Sequence, residues 1–204
     1  MMFLRTFKIA QRKKKGGSQV PKKDEGSYRS RMRTSKEIEK KYLVKIIPDG
    51  INDCQKIDIV QGYFWEKCNG EEIRIRRQKD LKTKRTKYFL TVKNGKGMVR
   101  EEAEVYLNKK TFEHYWGKTE NKRVSKLRHI INMHGLKVAI DFYRGNLSGL
   151  IIAEIEFKTE SEAKNFNSFS WLGKDVTEDE DFKNNNLACY GLPEKFSLHN
   201  KKQP

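Results

Sequence analysis

The feature that most restricts the fold of this chain is a period-two alternation whose polar face carries like charges in pairs. Glu37, Glu39 and Lys41 share one face, with Ile38, Tyr42 and Val44 on the other. Arg74 and Arg76 stand opposite Ile73 and Ile75, and Thr91 and Lys93 opposite Leu90 and Val92. Arg100, Glu102 and Glu104 fall in phase, as do Lys126 and Arg128. Asp141 stands between Ile140 and Phe142, and Glu154 and Glu156 oppose Ile155 and Phe157.

One such strand alone reads as the solvated face of an antiparallel sheet. The set does not, because like charges two residues apart on one face repel, and a surface serving stability alone would mix signs. Arg-x-Arg and Glu-x-Glu instead suit an anion and a cation. If the strands close into a barrel, the charged face points inward. An unpaired charge in a dry core costs several kcal/mol, so such an interior must be a water-filled tunnel. The apolar face then turns outward and needs a cover. Candidates are a helix over 111–117 carrying Phe112, Tyr115 and Trp116, and one opened by the capping-box sequence at 159–162 and running through Phe166 and Phe169. A second such signal at 177–180 precedes Phe182 and Leu187. The expected class is mainly antiparallel β with flanking helices.

Composition sets the outer bounds. The formal net charge of +17 suggests a phosphate-rich partner, but residues 1–36 hold 12 Lys+Arg against 2 Asp+Glu and so carry most of it. That stretch, with Arg12 to Lys15 and few large apolar side chains, reads as a disordered basic extension over 1–33; a start at Met32, with the first 31 residues as upstream sequence, is a blander option that ranks ahead of any targeting role. A domain over 34–192 and a tail over 193–204 complete the expected organisation. The longest apolar run, 150–153, is four residues, far short of a membrane-spanning helix. Three scattered cysteines, Cys54, Cys68 and Cys189, form neither a disulfide framework nor a zinc pattern, which points to a reducing, cytoplasmic setting. His114, His129, His134 and His199 show no ligand spacing. Gly95-x-Gly97 lacks the Lys-Ser/Thr of a P-loop and reads as a hairpin turn; Tyr63, Phe64 and Trp65 read as strand packing.

Glu37-Ile38-Glu39-Lys40-Lys41 resembles the ExExK signature of the CYTH proteins, the triphosphate tunnel metalloenzymes. The resemblance continues in order through Gln61-Gly62-Tyr63, Arg74-x-Arg76, Thr91-x-Lys93, Arg100-x-Glu102-x-Glu104 and Lys126-x-Arg128. It then covers Asp141, Gly149-Leu150, Glu154-x-Glu156, the stretch from Trp171 to Thr177, and Asn186-Leu187-Ala188, so about 37–190 in all. The resemblance implies an eight-stranded closed antiparallel β-barrel that binds a linear triphosphate along its axis with Mg²⁺ or Mn²⁺. Triphosphate binding is expected of Lys41, Arg74, Arg76, Lys93, Arg100, Lys126 and Arg128, where Arg offers bidentate forks and Lys a compact charge. By similarity, Glu37, Glu39 and Glu156 would hold one metal, and Glu102, Asp141 and Glu154 a second metal or the attacking water. Glu104 is a further acid of the set.

The expected activity is metal-dependent hydrolysis of inorganic tripolyphosphate to pyrophosphate and orthophosphate. Hydrolysis of thiamine triphosphate, or cyclisation of ATP in the manner of class IV adenylate cyclases, is the alternative. A non-enzymatic polyphosphate- or nucleic-acid-binding module stands further off, since seven inward acids would repel a polyanion unless metals neutralised them. The expected partner is thus a small-molecule triphosphate, with neither a membrane nor a specific nucleic acid; a homodimer is left open.

Overall fold

In the computed structural model, residues 32–64 and 71–196 are described. The expected basic extension up to residue 31, the tail from residue 197, and the readings of Trp65, Cys68 and His199 lie outside the described residues. Nine strands follow one another: β1 (Met32–Val44), β2 (Gln55–Tyr63), β3 (Glu72–Asp80), β4 (Thr86–Asn94), β5 (Val99–Leu107), β6 (Arg123–Met133), β7 (Leu136–Tyr143), β8 (Ile151–Glu156) and β9 (Leu172–Asp175). Helix α1 (Lys109–Trp116) joins β5 to β6, α2 (Glu160–Lys164) follows β8, and α3 (Asn184–Tyr190) follows β9.

Eight strands close into an antiparallel ring in the order β1-β5-β4-β3-β2-β6-β7-β8 and back to β1. The closure depends on the length of β1, whose residues 32–38 pair with β5 while 39–43 pair with β8. Strand β9 lies outside the ring, adding to the far end of β1 through Tyr42 opposite Asp175 and Val44 opposite Leu172. Closure leaves no exposed edge in the ring for another chain to pair with.

The alternation seen in the sequence is the wall of this barrel, with charges inside and hydrocarbon outside. Ile73, Ile75, Leu90, Val92, Ala103 and Val105 form one outer cluster, covered by Phe112, Tyr115 and Trp116 of α1. Ile38, Val138, Ile140, Ala153 and Ile155 form another, covered by Phe157, Ala163, Trp171 and Leu172. Burying each large aliphatic side chain contributes roughly 1.5–3 kcal/mol, so the core is a shell around the barrel. At one end the inward positions themselves turn apolar or aromatic. Tyr63, Val124, Tyr143 and Ile152 pack there with Leu147, Val176, Phe182 and Leu187 and plug the barrel, the last of these carried by α3.

Three local expectations are refined. Helix α1 begins two residues before position 111, capped by Asn108, whose side chain accepts from Thr111 N at 2.8 Å. The Thr159 cap is present, its hydroxyl accepting from Glu162 N at 3.1 Å, but α2 ends at Lys164 instead of reaching Phe169. Asn165, Asn167 and Ser168 offer the backbone local side-chain partners that compete with a helix. Phe166 and Phe169 still cover the barrel, packed edge to face at 5.2 Å. Thr177 caps no helix: its hydroxyl accepts from Lys41 N at 3.0 Å, and Asp179 caps the short 3₁₀ turn Glu180–Phe182 instead.

Candidate active site

The ring encloses a cavity of about 400 Å³. It brings together Glu37, Glu39, Lys41, Arg74, Arg76, Lys93, Arg100, Glu102, Lys126, Arg128, Glu154 and Glu156, residues from six of the eight ring strands. Each is placed by the pleat: its neighbours along the strand point to the outer face of the barrel, so it faces the interior.

Inside, acids and bases hold one another. Lys41 Nζ lies 2.7 Å from Glu154 and 3.2 Å from Glu39, and Lys93 Nζ lies 2.9 Å from Glu102 and 2.5 Å from Glu37. Arg100 donates to Glu39, and Arg128 to Glu154. Arg76 Nη2 reaches Glu104 at 2.7 Å, an acid that Thr91 Oγ1 also contacts at 3.2 Å. Asp141 and Glu104 do not line the cavity. Asp141 is fully buried and accepts both prongs of Arg128, at 2.7 Å each, and Lys126 Nζ at 2.5 Å. The acid expected beside a metal is therefore covered by the two bases it orients. Glu104 is likewise engaged beneath Arg76.

Burial and these partners move the proton affinities. Burial works to raise the Glu39 carboxyl, yet Lys41, Lys93 and Arg100 outweigh it and hold the group at about 2. Burial opposes charge at Lys41 as well, but Glu154 and Glu39 lift its ammonium above the ordinary range. Lys126 behaves differently. Burial, with Arg128 alongside, pushes its ammonium down to about 8 against the pull of Asp141 and Glu154. Three guanidinium nitrogens inside the barrel, Nε of Arg74, Arg76 and Arg100, are buried with no hydrogen-bond partner. A buried donor left unmade costs about 1–3 kcal/mol, so the interior has hydrogen bonds to give.

The cavity also takes in residues absent from the sequence-derived set: Glu72, Gln55, Gln61, Gln78, Lys137, Lys183 and Asn184. Glu72 is in phase with Arg74 and Arg76 on β3, and Lys137 with Asp141 on β7, so alternation alone could have found both. Lys183 and Asn184 enter from the start of α3 at the plugged end, where no strand periodicity could announce them. Asn184 Oδ1 accepts from the Tyr143 hydroxyl at 2.6 Å, which ties the plug to the wall.

No protein-family profile matches the chain. An inorganic triphosphatase of Nitrosomonas europaea is 37% identical over 153 residues, covering 74% of this chain and 96% of that protein. The chain belongs to the CYTH family of triphosphate tunnel metalloenzymes. A second CYTH relative, an inorganic triphosphatase of Acetivibrio thermocellus, is 31% identical over 160 residues, 75% of this chain and 93% of that one. A crystal structure of an inorganic triphosphatase superposes with a TM-score of 0.58 at 34% identity, covering 77% of this chain and 97% of the other. Among the described residues, no three His, Cys, Asp or Glu side chains stand together as a formed metal cluster. The donor set of this CYTH barrel nonetheless fits a hard divalent ion in chemistry. Among the described residues, six glutamates and no Cys or His line the cavity, and Glu39 stands directly across from Glu156 on neighbouring strands. Like charges so placed repel unless a cation lies between them.

Proposed function

We propose that this chain is a divalent-metal-dependent hydrolase of linear triphosphates, acting on inorganic tripolyphosphate to give pyrophosphate and orthophosphate. Its relatives are inorganic triphosphatases over nearly their whole lengths, which supports the activity class. The observation that carries the reading is the set of unpartnered guanidinium donors of Arg74, Arg76 and Arg100 inside a blind, base-lined cavity. Planar donor forks held in a low-dielectric wall suit phosphoryl oxygens.

Lys41, Arg74, Arg76, Lys93, Arg100, Lys126 and Arg128 would bind the anion and hold its phosphates in line. Glu37, Glu39 and Glu156 would hold one Mg²⁺ or Mn²⁺, and Glu102 and Glu154 a second ion or the attacking water. Asp141 acts behind them by fixing Lys126 and Arg128. Charge balance supports the metal requirement. Among the described residues, the cavity is lined by nine Lys+Arg and six Glu, and Asp141 and Glu104 lie beneath those bases. A single excess positive charge cannot neutralise a polyanion with several negative charges. When bound, the divalent ions supply charge neutralisation and Lewis acidity. The protein's own part is positioning and electrostatic stabilisation by preorganised donors, with no covalent intermediate.

Among the described lining residues there is no aromatic side chain, so the cavity offers no ring on which a purine or thiazolium could stack. That supports tripolyphosphate over ATP or thiamine triphosphate. The test is a parallel assay of the full chain with Mg²⁺ or Mn²⁺ on all three substrates. Metal-dependent orthophosphate release, fastest from tripolyphosphate, is expected. Cyclic AMP and pyrophosphate from ATP would establish the cyclase reading, and metal-independent binding without turnover would leave only a polyphosphate-binding module.

A further inference from the structure

On β3, β4, β5 and the stretch of β1 that pairs with β5, the residues facing inward are charged or polar with two exceptions, Phe89 and Tyr106. Phe89 lies directly across from Arg76 on β3 and from Tyr106 on β5. The three form a stack that Arg33 completes. The Arg33 guanidinium sits 5.7 Å from the Tyr106 ring centre, the two rings are 4.8 Å apart, and the Arg76 guanidinium sits 5.2 Å from the Phe89 ring centre. Phe89 is only 4% exposed and does not line the cavity, whereas Arg76 does.

Arg76 needs such support. Burial disfavours its charge, and Arg74 and Arg128 push against it as well, so the guanidinium's pKa falls to about 10 despite Glu104. Glu104 meets only Nη2, and Nε has no partner. A second carboxylate beside Arg76 would hold the charge but would consume the donors that remain. An aromatic face attracts the cation through its quadrupole and takes no N–H at all. The stack thus steadies the guanidinium while leaving its edge free.

We infer that Phe89, backed by Tyr106 and Arg33, is a positioning residue that holds the Arg76 guanidinium with its hydrogen-bonding edge free to receive a phosphate oxygen of the substrate. The inference rests on the proposed triphosphate reading of the cavity and adds a residue that acts on the substrate through Arg76.

The experiment is a double-mutant cycle on the metal-loaded full chain with tripolyphosphate. It compares F89L, F89M, F89Y and F89W with R76A and with F89L/R76A, reading KM and kcat separately alongside the melting temperature. Removing the ring face in F89L should raise KM on the order of tenfold with kcat nearly unchanged. F89M, which keeps bulk without a ring face, should do the same and replaces F89L should that variant melt early. F89Y or F89W should restore KM to near the wild-type value. In the R76A background F89L should add almost nothing, because the group it positions is gone. Full additivity of F89L and R76A, or a KM in F89L and F89M equal to wild type, overturns the positioning role. An unchanged KM in R76A itself would instead remove Arg76 from the phosphate site, a failure of the underlying reading that the cycle keeps distinct.

Discussion

Lys126 is where the barrel makes its charge conditional on pH. Its ammonium is buried against Asp141 at 2.5 Å, yet burial and Arg128 bring its pKa down to about 8. With that value the side chain is roughly 90% charged at pH 7 and roughly 10% at pH 9. If the charged form is needed to receive the triphosphate, kcat/KM should fall about tenfold per pH unit above pH 8. The substrate and its metal titrate too, so the informative comparison is with K126R, whose guanidinium stays charged throughout. Wild type and K126R should run parallel up to pH 7.5 and part by about tenfold near pH 9. A second measurement follows from linkage. The folded-state pKa lies below the ordinary Lys value of 10.5, so the charged group opposes folding below pH 8 and the deficit is relieved as pH rises between the two values. A depression of that size corresponds to about 3 kcal/mol, so wild type should gain resistance to urea relative to K126R as pH rises from 8 towards 10.5. Profiles of wild type and K126R that superimpose from pH 7 to 10 would refute the reasoning, because they would show that Lys126 does not titrate in the cavity.

The other predictions separate site from scaffold. E39Q should abolish metal-dependent turnover while leaving the circular dichroism spectrum intact; near-normal activity would remove Glu39 from the metal set. D141N should cost about 3–5 kcal/mol in denaturant unfolding, because it leaves two buried bases underpartnered. E156Q, by contrast, breaks only the half-exposed pair with Lys137 and should change stability by less than about 1 kcal/mol. Replacing Ile140, fully buried on the outer face, by Ala should cost about 2–5 kcal/mol and leave KM for tripolyphosphate within about twofold.

What the sequence disclosed about the fold came from residues whose two neighbours along a strand were both apolar. Arg74 and Glu154 could be placed on one inward face because period two admits a single alternative and the outer isoleucines exclude it. The depth of each residue was not legible in the same way. Asp141 shares the phase of a lining residue, but its burial beneath Lys126 and Arg128 depends on the stagger between β6 and β7, which no local pattern encodes. Lys183 and Asn184 reach the cavity because a distant helix plugs the barrel, a tertiary event. The early end of α2 is a contest between a cap and the turn-forming Asn165, decided by packing around Phe166. Phe89 was hidden for another reason: in a strand an aromatic is expected to pack outward, and here it packs beneath a guanidinium.

The mutual pairing of acids and bases inside the ring has a consequence for how the cavity fills. Its carboxylates act as built-in counter-ions to its own Lys and Arg, so an anion that engages Arg100 or Lys93 on entering alone displaces Glu39 or Glu102 and leaves that carboxylate stranded. A cation entering alone strands the bases. Only when both arrive does every displaced group find a new partner, so the barrel takes up a salt and not an ion. Metal and triphosphate should therefore each tighten the binding of the other by the same factor, as linkage requires. Bulk electrolyte, kept from these buried contacts, should weaken the joint binding far less than the chain's net charge would suggest.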